Sequence, residues 1–126
     1  IATGYGSAPI GVALTPDGAQ AFVTLTGSGL LKRYSTASLA ETGSLALGPT
    51  PRAIAITGDS SRVLVTRYIS ALNRAHVWDV ANGSSLSLNR TWNLLRDRTP
   101  DNSSNGRGIP NQLAGITLSP DGRWAW

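Results

Sequence analysis

Three aspartates recur in three similar phrases: Asp17 in "TPDGAQ", Asp59 in "TGDSSR" and Asp121 in "SPDGRW". Carboxylates repeated at one position could ring a cation, because hard divalent ions gather several oxygen ligands. The flanking residues point to turn chemistry instead. Pro16 and Pro120 preset φ, the aspartate bonds nearby backbone, and Gly18 and Gly122 accept positive φ. Asp59-Ser60-Ser61 replaces Pro-Asp-Gly in the second phrase and reads as a weaker turn. His76 is the only histidine and cysteine is absent. A metal site or a catalytic base needs partners that the sequence does not offer beside it, so His76 is read as structural. Ser and Thr are frequent, but no nucleophile elbow and no phosphate-cradling glycine loop is present. Asp79, just before Ala81-Asn82-Gly83, is read as a hairpin residue. No catalytic residue, cofactor ligand or metal ligand is assigned. The Asn-x-Ser/Thr triplets at Asn82, Asn89 and Asn102 matter only in a secreted eukaryotic protein.

The remaining candidate is a loop. "LLRDRTPDNSSNGRGIPN", from Leu94 to Asn111, is polar and rich in Gly and Pro. Long loops on a rigid scaffold are where binding residues gather. Arg96, Arg98, Arg107 and Asn111 are the candidate partner contacts.

Composition limits what can position these residues. The chain has 126 residues, 40% hydrophobic and 14% charged, with 14 Gly and 7 Pro. A core is affordable, disorder is disfavoured, and the Gly/Pro content suits short strands and many turns. No run approaches the roughly 18 apolar residues of a membrane span. The net charge of +4 comes from scattered arginines. No basic tract with interleaved aromatics forms, so nucleic acid is not an expected partner.

The elements emerge from an internal repeat. "PIGVALTPDGAQAFVT" starts at Pro9, and "PRAIAITGDSSRVLVT" follows 42 residues later at Pro51. Ala13 matches Ala55, Asp17 matches Asp59, and Thr24 matches Thr66. A third copy, "GITLSPDGRWAW", sits 62 residues beyond the second and places Pro120, Asp121 and Gly122 in register. The excess of about 20 over the blade period is the Leu94–Asn111 insertion. Each copy reads as strand, tight turn, strand. Further strands are expected at Leu30–Tyr34, Thr42–Leu47, Ala75–Val80 and Leu86–Trp92, with a turn at Ala81-Asn82-Gly83, where Asn-Gly is a hairpin signal. A helical turn is plausible only at Thr91–Asp97. A period of about 40–45 residues with four strands each is that of propeller blades. The expected fold is all-β, a partial β-propeller of four-stranded antiparallel blades. Its parts are 1–5 (end of a preceding blade), 6–47 and 48–93 (full blades), 94–111 (insertion) and 112–126 (start of a third blade). Trp126 aligns with Phe22, inside a strand, so a piece of a larger propeller with open strand edges is expected.

The pattern P-x-x-hydrophobic-A-hydrophobic-T/S-P-D-G followed by hydrophobic-V-T resembles the YVTN repeat of bacterial and archaeal β-propellers. Pro9, Ala13, Pro16, Asp17, Gly18, Phe22, Val23 and Thr24 carry it, with Pro51, Ala55, Asp59, Leu64, Val65 and Thr66 in the second copy. Leu25 and Arg67 stand where the family has Asn, and Phe22 and Leu64 where it has Tyr. The apolar strand is kept, but any role of that Asn does not transfer. "GRGIPNQLAGITLSPDGRWAW" is also similar to propellers associated with cytochrome-c-peroxidase-like haem domains. The resemblance implies a secreted or periplasmic, non-catalytic scaffold whose partners are the remaining blades or other protein chains. No cofactor is implied in this segment, with haem elsewhere in the intact protein. The alternatives are a piece of a propeller enzyme, lactonase-like or redox-linked, and a cell-surface adhesion or matrix component.

Overall fold

The computed structural model describes residues 2–70, 75–100, 102–104, 108 and 110–126. Eight strands form two separate antiparallel sheets. The first contains β1 (Pro9–Leu14), β2 (Gln20–Leu25), β3 (Leu30–Ser35) and β4 (Glu41–Ala46). The second contains β5 (Pro51–Ile56), β6 (Arg62–Arg67), β7 (Ala75–Asn82) and β8 (Leu86–Leu94). Each sheet is a meander, with strands hydrogen-bonded in chain order. No helix occurs among the described residues, so none is long and apolar enough to cross a membrane.

The sheets pack face to face. Phe22 lies opposite Arg33, and Thr24 opposite Leu31, so all four point from one face of the first sheet. Ile54, Val65 and Trp78 align across the second sheet, as do Ile56, Val63 and Val80. Phe22 and Leu31 meet Val63, Val65, Trp78, Val80 and Leu86 in one core, with Leu45, Leu47, Ile54 and Ile56 around it. Burying each such side chain contributes about 1.5–3 kcal/mol.

Along β1 and β5 the sheets approach very closely. The Thr24 hydroxyl donates to the Arg52 carbonyl at 2.6 Å and accepts from the Gly11 N–H at 2.9 Å. A Cβ on Gly11 would lie 2.1 Å from that carbonyl oxygen. Only glycine allows this approach. The repeat places Ala53 at the corresponding position, where its N–H donates to the Thr66 hydroxyl at 3.0 Å.

The connections sort to two ends of the sheets. The β1–β2, β3–β4, β5–β6 and β7–β8 turns share one end. There Thr36 reaches the Gly18 and Ala19 carbonyls, and Asn82 reaches those of Ser60 and Ser61. The β2–β3 and β4–β5 connections meet at the other end through Gly29 and Gly48. Tyr68 joins them by donating to Thr50 O, and Ser70 N donates to Asn111 O at 3.3 Å. The Leu94–Asn111 segment therefore leaves and returns at this crossover end.

Several expectations change. Thr91–Asp97 contains no helical turn: Trp92, Asn93 and Leu94 pair with Val77, His76 and Ala75 and extend β8. Ala81 and Asn82, expected in the turn, continue β7. Asn82 still pairs with Leu86, leaving a Gly83–Ser85 loop. β1 and β4 pair on one side only, and the start of the array also leaves a sheet face open: Val12 is 71% and Leu14 58% exposed. They occupy the positions that Ile54 and Ile56 hold in the second sheet, where a neighbouring sheet covers them.

Candidate functional site

The three aspartate turns are built alike. The hydroxyls of Thr15, Thr57 and Ser119 donate to Oδ1 of Asp17, Asp59 and Asp121 at 2.6, 2.6 and 2.5 Å. The same oxygens accept from the N–H groups of Ala19, Ser61 and Arg123 at 3.0, 3.0 and 3.1 Å. Gly18 and Gly122 have φ of +70° and +68°, and Ser60 adopts +61° at the equivalent position. Hydrogen bonds from hydroxyl and N–H hold all three carboxyls below their ordinary range. Asp59 falls to about 2, through Thr57 first and then both donors of Ser61. Each carboxylate is engaged in closing its own turn. No group of acids and His able to hold a metal occurs among the described residues.

Two polar residues with no signal in the sequence close the turn end of the sheet-to-sheet contact. Arg33 is 5% exposed. Its Nη1 donates to Asn82 Oδ1 at 2.6 Å and to Gly83 O at 2.8 Å. Nη2 reaches Ser84 O at 3.2 Å and Thr42 O at 3.1 Å, and Nε the Thr42 hydroxyl at 3.1 Å. Gln20 Oε1 accepts from Asn82 Nδ2 at 2.9 Å. A buried guanidinium is thus satisfied by neutral oxygens alone. Asn82 serves this lock rather than a hairpin turn.

Asp79 is also not a hairpin residue. It lies within β7, opposite Leu64, with a fully buried side chain. Arg62 grips it through Nε to Oδ1 at 2.9 Å and Nη2 to Oδ2 at 2.5 Å. Asn89 Nδ2 donates to Oδ2 at 3.0 Å, and Arg90 Nε stands 3.8 Å away. Burial pushes the carboxyl upward. The Arg62, Asn89 and Arg90 donors and charges outweigh it and leave Asp79 below its ordinary value.

The loop candidates lie at the crossover end. Arg96 and Arg98 are exposed and flank Asp97, whose N–H donates to Gly108 O at 3.0 Å. Asn111 is exposed and is tied to Ser70 through its carbonyl. Arg107 lies outside the described residues. Arg52, at the start of β5, stacks over the Tyr68 ring at 4.0 Å. Pro9 and Pro51 open β1 and β5 at this same end. His76 lies on β7 opposite Asn93. Acids and arginines mix at the turn end, where Arg62 and Arg90 face Asp79 and Arg123 adjoins the Asp121 turn. Asp17, Asp59 and Asp121 occupy the turn end, whereas Asp97 is the one described acid in the crossover loop.

No protein-family model matches this chain, and no curated protein matches it. Solved structures do. Hydrazine synthase of Kuenenia stuttgartiensis superposes with a TM-score of 0.70 at 18% identity, covering 98% of this chain and 30% of that one. A 6-phosphogluconolactonase candidate from Bacteroides fragilis gives 0.70 at 14%, covering 99% and 33%. A chain of the mitotic checkpoint complex gives 0.66 at 16%, covering 91% and 31%. These neighbours are β-propeller proteins, and the two stacked four-stranded meanders are propeller blades. The chain is all-β and forms part of a β-propeller. It spans about a third of the length of the structures it matches.

Proposed function

We propose that this chain is a segment of a larger YVTN-type β-propeller, secreted or periplasmic, that acts as a non-catalytic binding scaffold. Its crossover end presents the Leu94–Asn111 loop to an acidic surface on a partner chain or an attached domain, a haem domain being one such domain. The observation that carries this reading is the group of arginines at the crossover end. Arg52, Arg96 and Arg98 stand at the crossover end, while the repeated aspartates are committed to turns at the other. Clustered surface charge of one sign steers association and weakens with salt.

A dye-labelled oligo-glutamate peptide, followed by fluorescence anisotropy at low ionic strength, tests this. The chain should bind it, and Arg96→Ser, Arg98→Ser and Arg107→Ser together should weaken binding about tenfold, since an exposed pair is worth about 0.2–1 kcal/mol. Arg123→Ser, at the turn end, should leave it unchanged. Equal loss from either set would remove the loop from the reading.

A second reading, a piece of a propeller enzyme, is favoured by the lactonase-like neighbour. Turnover of 6-phosphogluconolactone by the chain, abolished by substitutions at the crossover end, would establish it in place of the scaffold.

A further inference from the structure

The junction between the two sheets carries an arginine at each end, and they are satisfied differently. At the turn end Arg33 donates to Thr42, Asn82, Gly83 and Ser84. At the crossover end stands Arg67. Arg67 pairs with Pro51 as Val65 pairs with Ile54, and Val65 belongs to the core between the sheets. Side chains two apart on a strand share a face, so Arg67 follows Val65 on the face turned to the first sheet. Its Nε is buried and has no hydrogen-bond partner. None of the ion pairs among the described residues includes it.

The neighbouring strands set further polar groups level with it. Thr66 pairs with Val77, so the next step of that register brings Arg67 level with His76. His76 in turn pairs with Asn93. The preceding row on this face is Val65, Trp78 and Thr91. A guanidinium, an imidazole and an amide thus close the crossover end of the junction, with no carboxylate in the row. The nearest acid along the chain is Asp97, beyond the end of β8, and it is turned on itself. Its Oδ1 accepts from the N–H and the hydroxyl of Thr99 at 2.9 and 2.5 Å. Arg67 and His76 are half-buried and Asn93 is exposed, so the row can be reached from solvent. A buried N–H left without an acceptor costs about 1–3 kcal/mol, which an arriving acceptor would recover.

We propose that this row binds a small oxyanion, a carboxylate or a phosphate, on Arg67. Two oxygens of such an anion accept from Nε and one Nη together, the parallel pair that a planar guanidinium presents. The His76 and Asn93 side chains, on the two strands beyond, offer N–H groups to the remaining oxygens. A cation finds no carboxylate here, and an apolar ligand would leave Nε without an acceptor. Water could satisfy the N–H but would leave the charge unpaired. Arg52, Arg96 and Arg98 at the same end raise the local concentration of anions. The site is distinct from the loop surface. Arg96 and Arg98 are exposed, whereas Arg67 has a buried donor fixed in direction by the sheet.

The chain, isotope-labelled for nitrogen NMR, is titrated separately with sodium phosphate and sodium acetate, against sodium chloride of equal ionic strength. The arginine Nε–H signals are followed. The Arg67 signal should shift saturably with phosphate, with acetate or with both, and not with chloride; the salt that acts names the source of the oxyanion. The Arg33 signal, closed by its own acceptors, should stay in place. Arg67→Lys, with an unchanged circular-dichroism spectrum, should raise the midpoint read at the His76 backbone amide about tenfold, because an ammonium keeps the charge and loses the fork. Arg96→Ser with Arg98→Ser should leave the Arg67 response intact. The proposal is overturned if the Arg67 signal moves only linearly or equally in chloride, which would leave water as the partner of Nε. It is overturned equally if Arg67→Lys leaves the midpoint unchanged, or if the loop substitutions abolish the response. Should Arg67→Lys fail to fold, the titration of the unaltered chain decides alone.

Discussion

Ser60 carries a conformational cost that its two repeat-mates avoid. It sits at φ +61° where Gly18 and Gly122 sit at +70° and +68°. A side chain in the left-handed region costs roughly 1–2 kcal/mol, part of which glycine returns as unfolded-state entropy. Ser60→Gly should therefore stabilise the chain by about 0.5–1 kcal/mol in urea unfolding. A loss of stability would show that the Ser60 side chain contributes something the turn needs.

The neighbouring Asp59 links the turn to pH. Its carboxyl is held at about 2 when folded, against an ordinary 3.8, by the Thr57 hydroxyl and both Ser61 donors. A folded-state pKa below the unfolded one means that the stabilisation is fully present above about pH 4 and disappears as pH falls to about 2. Asp17 and Asp121 are lowered in the same direction and should contribute in the same acid range. Carboxyl NMR titration should place Asp59 near 2. In Thr57→Val it should move up toward the ordinary value; no movement would show that the hydroxyl is not the cause.

These local devices were legible in the sequence because donor and acceptor lie within five residues of each other. Arg33 was not legible. Its acceptors Asn82, Gly83 and Ser84 are 49, 50 and 51 residues away and meet it only after the blades stack. Asp79 read as a hairpin residue for the same reason, since Arg62 faces it only through strand register. Ala81-Asn82-Gly83 looked like a turn on local chemistry. The Asn82 side chain is instead held by Arg33, Gln20 and the Ser60 carbonyl, and β7 runs through it.

At the level of strands, the junction depends on one missing methyl and one buried guanidinium. Gly11→Ala would place a Cβ 2.1 Å from Arg52 O. The backbones of β1 and β5 must then separate and stretch the bond from Thr24 to Arg52. Overpacking of this kind costs about 1–3 kcal/mol, and Ala53→Gly, where the methyl is already accommodated, should cost no more than about 1 kcal/mol. Chemical denaturation of the two variants checks the contrast. Arg33→Lys tests the lock. An ammonium cannot reproduce a planar fork that reaches Thr42, Asn82, Gly83 and Ser84 together. Hydrogen bonds to a charged group contribute about 1.5–3 kcal/mol, so a loss of about 2–3 kcal/mol is expected. A loss below about 0.5 kcal/mol would mean that the hydrophobic core alone holds the blades in register.

For the whole molecule, the 42-residue repeat was enough to read blades, because period-2 apolar strands and turn residues recur together. It could not indicate how those blades meet. That depends on Gly11, Arg33 and the interlocking of Phe22 and Leu31 with Val63, Val65 and Trp78. The central claim is that two four-stranded meanders stack face to face as consecutive propeller blades. The absence of cysteine gives a clean background for testing it. A Cβ built on Gly43 lies 3.2 Å from Leu86 Cγ, across the junction. This proximity suits the Cβ separation of about 3.5–4.5 Å that a disulfide requires. Gly43→Cys with Leu86→Cys should oxidise to an intramolecular disulfide, seen as a faster non-reducing gel band, and stabilise the chain by about 3–4 kcal/mol for a loop of this length. Val12→Cys with Leu86→Cys, which puts the first thiol on the opposite face of the first sheet, should not. Bridging by the second pair and not the first would contradict the stacking.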